Sequence, residues 1–174
     1  MQRTMLSAIA LMMAVAAPAP AATLGRGESF PAWSLKDHTG ATVSSADLAG
    51  KSYLLWYYPA AMTPGCTAEG RGLRAAYAAY RRAGIEILGV SFDPPERNAE
   101  FVAAESFPFR LLSDEARTLA VAVGAADTPE QTHARRISYL VGPDGKVVEA
   151  YESVDPARHA VQVLGDYAAA RRKP

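Results

Sequence analysis

The chain is expected to fold as an α/β protein with a mixed central sheet, helices on both of its faces and an N-terminal β-hairpin. Three observations carry that expectation. Strand-like and helix-like segments alternate along the chain. Two apolar runs, 52–58 and 85–91, read as strands buried on both faces, and a hairpin pattern stands at each end of the alternation.

Trp33-Ser34-Leu35 and Ala41-Thr42-Val43 flank a turn in which Asp37 and Gly40 supply the turn chemistry, so the first pair reads as a hairpin. The aromatic run 52–58 follows as a buried strand, and a loop carries Pro59, Pro64 and Gly65. A helix is expected over about 66–82. Leu73, Tyr77 and Tyr80 recur there at helical spacing, while Arg71, Arg74, Arg81 and Arg82 fall largely on other faces. Gly84 stands where a left-handed C-cap is favoured. A second buried strand covers 85–91, Pro94 and Pro95 open a helix through about Glu105, and a short strand covers 109–112. A capped helix is expected to begin near Asp114. Strands 137–141 and 146–150, joined by Gly142-Pro143-Asp144-Gly145, form the clearest hairpin. The last helix is expected to start at Asp155-Pro156, an N-cap and a first-turn proline. It would bury Ala160, Leu164 and Tyr167 and end in Arg171-Arg172-Lys173.

At 174 residues the chain suits one domain with its own core. Apolar residues at 49% and charged residues at 21% are ordinary for a globular protein. The formal net charge is zero and no basic stripe carries interleaved aromatics, which argues against nucleic-acid binding. The N-terminus has the three parts of a secretory signal: Arg3, an apolar run 5–17, and an Ala19-Pro20-Ala21 site. Residues 1–21 are therefore expected to be a signal peptide and 22–174 an exported domain, located in the periplasm. The apolar run is shorter than the roughly 18 residues that span a bilayer, so no membrane span is expected.

Cys66 is the only cysteine, which excludes an intramolecular disulfide, a C-x-x-C pair and a thiolate zinc site. His38, His133 and His159 show no ligand spacing and are expected as solvated side chains, so neither metal nor cofactor is expected. Trp33 and Trp56 read as core residues. At the start of a helix, Cys66 would meet first-turn N–H groups and the positive end of the helix dipole, which favour a thiolate. The alternative is an inert buried cysteine; the flanking Thr63, Pro64, Gly65 and Thr67 make a turn and cap, which weighs against burial within a regular element.

The string Pro59-Ala60-Ala61-Met62-Thr63-Pro64-Gly65-Cys66-Thr67-Ala68-Glu69 resembles the P-x-x-x-T-x-x-C motif of peroxiredoxins, in the T-P-G-C-T-x-E form of the bacterioferritin-comigratory (Q-type) subfamily. The resemblance extends through 30–35, Ser91-Phe92-Asp93, 108–114 and 136–141, nearly the whole of 22–174. It implies a thioredoxin-like fold and a thiol peroxidase acting on hydrogen peroxide and organic hydroperoxides. By resemblance Cys66 is the peroxidatic cysteine and Thr63 hydrogen-bonds the thiolate and the peroxide. Pro59 shields the site, and Arg136 polarises the peroxide. Arg135 competes with Arg136, but neighbours in a strand point to opposite faces, which favours one of them, and the resemblance selects Arg136. Glu69 either orients that arginine or is a solvated helix carboxylate.

Many members of this subfamily carry a resolving cysteine five residues on, where this chain has Arg71. That departure implies a 1-Cys cycle with an external thiol or a thioredoxin-like reductant, in a monomer or weak homodimer. The apolar Ala60, Ala61 and Met62 would bias the pocket toward organic hydroperoxides. The competing readings are an exported thioredoxin-fold thiol-disulfide protein and a redox sensor or copper-chaperone-like protein without peroxidase activity. The first needs a cysteine where Thr63 stands, and a copper chaperone needs one where Gly70 stands.

Overall fold

The computed structural model describes residues 22–172; the expected signal peptide lies outside the described residues. Seven strands form one mixed sheet: β1 (Ser34–Asp37), β2 (Thr42–Ser44), β3 (Ser52–Tyr57), β4 (Ile85–Ser91), β5 (Arg110–Ser113), β6 (Ile137–Val141) and β7 (Val147–Tyr151). Their spatial order is β2-β1-β5-β4-β3-β6-β7. β3, β4 and β5 run parallel, and antiparallel pairs flank them on both sides. The helices are α1 (Pro64–Ala83), α2 (Pro95–Glu105), α3 (Thr118–Ala122) and α4 (His159–Ala170).

The alternation of β3 places two cores. Tyr53, Leu55 and Tyr57 face one side of the sheet, with Phe30, Trp33, Leu88, Tyr139 and Leu119 of α3. Leu54 and Trp56 face the other, against Leu73 and Tyr80 of α1, Phe101 of α2 and Val163 of α4. Helices thus cover both faces, with the three longer ones together on one face. The N-terminal hairpin, both central strands and the 137–151 hairpin stand where the sequence places them. Gly84 caps α1 in the left-handed conformation at φ 75°.

Two helix starts differ from expectation. The helix expected at Asp114 begins at Thr118, because the buried Asp114 carboxylate reaches over the intervening turn to accept from Ala120 N at 2.7 Å. Asp155 also caps a turn, accepting from Ala157 N at 3.0 Å, and α4 proper starts at His159. Asp155 thus satisfies an N–H of a preliminary turn, whereas Asp114 caps α3 itself from four residues upstream; each has the residue type of a helix N-cap in sequence.

Candidate active site

The site forms where β3 ends and α1 begins. Parallel pairing with β4 and antiparallel pairing with β6 put Tyr57 opposite Ile137, so the residue before Ile137 arrives at the carboxyl end of β3. That residue is Arg136. A six-residue loop, 58–63, then turns the chain into α1 with Thr63 as N-cap and Pro64 at the first helical position.

Cys66 falls on the inward stripe of α1. With Glu69, Gly70 and Leu73 it makes an i, i+3, i+4, i+7 row that is buried throughout. Cys66 is 0% exposed, against the expectation that the turn chemistry would keep it out of a packed element. The helix starts at Pro64, two residues earlier than that reasoning assumed, and its first inward position is the cysteine itself.

Arg136 Nη2 donates to Cys66 Sγ at 3.4 Å, and Nη1 pairs with Oε2 of Glu69. Burial alone would push this guanidinium down. The Glu69 carboxylate and the Cys66 sulfur outweigh that, holding Arg136 above its ordinary value and charged. Glu69 is 0% exposed, so its alternative as a solvated carboxylate is excluded. Arg135 points away and pairs with Asp127 and the carbonyl of Gly124. Gly65 makes room for the approach, since a Cβ there would sit 3.2 Å from Arg136 Nη2.

The loop is fastened from the β4 side. Asp93 accepts from Ala61 N at 2.8 Å and from Ser91 Oγ at 2.8 Å. Tyr58 donates to Asn98 Oδ1 at 2.5 Å, and burial pushes its phenol well above the usual range, so it remains a donor. Pro59 is half-buried at the head of this loop. Thr63 Oγ1 donates to Ala60 O at 3.0 Å, so its hydrogen is engaged within the loop.

Sequence reasoning missed His159. It is not solvated but 0% exposed, with Nδ1 2.7 Å from Oε1 of Glu69. The signal was present: His159 stands one helical turn before the buried Val163 and beside the buried Ala160, on the inward stripe of α4. A histidine on such a stripe needs a polar partner, and so does a glutamate on the inward stripe of α1. His38 is half-buried, His133 is exposed, and Trp33 and Trp56 are core residues as expected. Arg71, at the place of the absent second cysteine, pairs with Glu105 on α2 at 2.6 Å. Among the described residues no helix is long and apolar enough to cross a membrane.

A single reactive-type sulfur, a charged guanidinium on it and a buried carboxylate behind it are what reduction of a hydroperoxide needs: a nucleophile and a cation for the oxyanion that leaves. The comparisons agree with this chemistry. Residues 26–150 match the model of the AhpC/TSA family. Peroxiredoxin Bcp of Escherichia coli (strain K12) is 35% identical over 148 residues, 81% of this chain and 94% of that protein. The crystal structure of peroxidoxin BcpB from Mycobacterium tuberculosis superposes with a TM-score of 0.77 at 28% identity, covering 83% of this chain and 96% of the other. A trapped intermediate/ligand complex of the Xanthomonas campestris bacterioferritin comigratory protein, concerned with its alkyl peroxide reduction activity, gives a TM-score of 0.73. It is 31% identical and covers 79% of this chain and 90% of that one.

Proposed function

Since the chain belongs to the AhpC/TSA family, has the thioredoxin-like fold of its peroxiredoxins and is a thiol-dependent peroxidase, we propose that Cys66 is its peroxidatic residue and Arg136 the cation that activates it. The observation that carries this reading is the 3.4 Å contact between Arg136 Nη2 and Cys66 Sγ, in a chain with no other cysteine. The thiolate attacks one peroxide oxygen, the O–O bond breaks, and the departing alkoxide or hydroxide takes a proton to leave as alcohol or water. Cys66 is left as a sulfenic acid. Arg136 stabilises both the thiolate and the charge developing on the leaving oxygen. Thr63, whose hydrogen is engaged by Ala60 O, offers lone pairs to the O–H of the peroxide; serving the thiolate as well would require that hydrogen to turn. Pro59 shields the mouth of the loop.

With Arg71 in place of a resolving cysteine, recycling uses an external thiol. One reductant thiol attacks the sulfenic sulfur to give a mixed disulfide and water; a second thiol releases Cys66 and leaves the reductant oxidised. A sulfur with no exposed surface meets a reductant as large as a thioredoxin-like protein only after the 59–63 loop or the first turn of α1 shifts. The apolar Ala60, Ala61 and exposed Met62 favour organic hydroperoxides, a preference in keeping with the alkyl peroxide activity named for the Xanthomonas campestris relative. The three-part N-terminal pattern supports export to the periplasm.

The test is the rate of Cys66 oxidation by hydrogen peroxide and cumene hydroperoxide, followed by tryptophan fluorescence and mass spectrometry. The expected rate is far above that of a free thiol, lost in Arg136→Ala and kept in Arg135→Ala. A free-thiol rate indifferent to Arg136 would overturn the assignment.

A further inference from the structure

Of the three histidines, His159 alone is fully buried, and the reaction as described does not use it. Its Nδ1 is 2.7 Å from Oε1 of Glu69, the other oxygen of the carboxylate that pairs through Oε2 with Arg136. A carboxylate only accepts, so Nδ1 carries the hydrogen in this contact. Among the described residues, Nε2 is buried without a partner. The ring is held edge-on to Tyr151 at 5.4 Å between centroids.

The consequence lies in the geometry of Arg136. An arginine facing a carboxylate with both oxygens free tends to form two parallel N–H···O bonds. Here one oxygen is taken from the far side, by a residue on a different helix. Arg136 is thereby held to Glu69 through Nη1 only, and Nη2 remains for Cys66 Sγ at 3.4 Å. We propose that His159 is a positioning residue for the peroxidase reaction: by holding Oε1 of Glu69 toward α4 it fixes the orientation of the carboxylate, so that Arg136 meets Oε2 through Nη1 alone and keeps Nη2 aimed at the sulfur and the peroxide. This rests on the reading of Cys66 as the peroxidatic residue. It also makes the start of α4, distant in sequence, part of the active site.

The test uses the full chain and the second-order rate of Cys66 oxidation by hydrogen peroxide, with thermal unfolding recorded alongside. His159→Phe keeps a ring and removes the donor. His159→Asn keeps an N–H near the position of Nδ1. The expected result is a loss of about ten- to a hundredfold in His159→Phe, the size a misplaced catalytic group produces, with most of the rate restored in His159→Asn. Equal rates in wild type and His159→Phe overturn the proposal, and so does an equal loss in both variants, which would mark His159 as packing alone. Should His159→Phe not fold, the wild-type imidazole decides by nitrogen NMR. An Nδ1–H signal that moves when Cys66 is oxidised supports the coupling, and one that is absent or unmoved overturns it. A wild-type rate no faster than a free thiol overturns the peroxidatic reading itself, whatever the variants do.

Discussion

Gly65 and Arg136 face one another so closely that a Cβ on the glycine would lie 3.2 Å from Nη2, the same nitrogen that reaches Cys66 Sγ at 3.4 Å. The residue before the cysteine and the residue before β6 are 71 positions apart in sequence, yet a side chain on the first would press on the second. The guanidinium has little freedom to retreat, since its other end is tied to a buried carboxylate.

Gly65→Ala is therefore expected to slow Cys66 oxidation by several-fold to about tenfold, the cost of displacing a positioned group by a fraction of an ångström. Gly65 is exposed and its φ is not in the left-handed region, so thermal stability should change little. Stopped-flow oxidation and a melting curve on the same preparation separate the two effects. A large stability loss without a rate effect would show that the helix, not the arginine, feels the methyl group.

Gly70 presents the opposite balance. A Cβ there would overlap Cζ of Phe107 and lie 3.0 Å from Cε1. The ring cannot swing aside, because it is wedged between Phe101 and Phe109 with centroids at 4.9 and 5.0 Å. Gly70→Ala should therefore cost about 1–3 kcal/mol of stability, the range for overpacked cores. A denaturant midpoint unchanged from wild type would contradict the packing.

Much of this architecture was legible in the residues. The continuous apolar runs 52–58 and 85–91 placed the two central strands, and the period-2 argument at Arg135 and Arg136 admitted only one of them to the site. What the sequence hid was the burial of charge. Glu69 and His159 look solvated one at a time, since each type is usually exposed, and only their shared place on inward helical stripes betrays them. Their meeting depends on how α4 packs on α1, a tertiary contact between residues 90 apart that no local pattern encodes. The late starts of α3 and α4 were hidden for a simpler reason. Asp114 and Asp155 have the chemistry of a helix N-cap but stand several residues ahead of the helix, Asp114 reaching across a turn to Ala120 N of α3 and Asp155 capping the turn before α4.

The turn between β1 and β2 gives an acid-dependent expectation. Asp37 is buried, which pushes its carboxyl upward. Bonds from Thr39 Oγ1 at 2.6 Å, Thr39 N at 2.8 Å and Ala41 N at 3.1 Å outweigh this and hold it below the usual carboxylate value. A depressed folded-state value stabilises the protein above the unfolded-state value, and that stabilisation is lost as pH falls through the folded one. Asp37→Ala should cost about 1–2 kcal/mol at pH 7. The gap to wild type should narrow below about pH 4, where the unfolded carboxyl takes up its proton. Urea unfolding at pH 7 and pH 3 checks both; a gap that widens in acid would reverse the sign.

Met62 joins strain to selectivity. It is a non-glycine residue at φ 64°, one position before the N-cap of α1, and it is 38% exposed. A left-handed methionine is costly by about 1 kcal/mol or more, so Met62→Gly should stabilise the fold by up to about that amount. The same substitution strips apolar surface from the loop, and the ratio of cumene hydroperoxide to hydrogen peroxide rate constants should fall. Met62→Asp should lower that ratio at least as far, because an apolar peroxide would have to strip water from its carboxylate, while its short polar side chain tolerates the left-handed backbone better than methionine does. Comparing the two separates the contributions. A ratio that falls in both variants assigns selectivity to the apolar side chain, whereas a fall in the glycine variant alone assigns it to the stiffness of the loop. A ratio unchanged in both would mean that the loop's apolar character does not select the substrate.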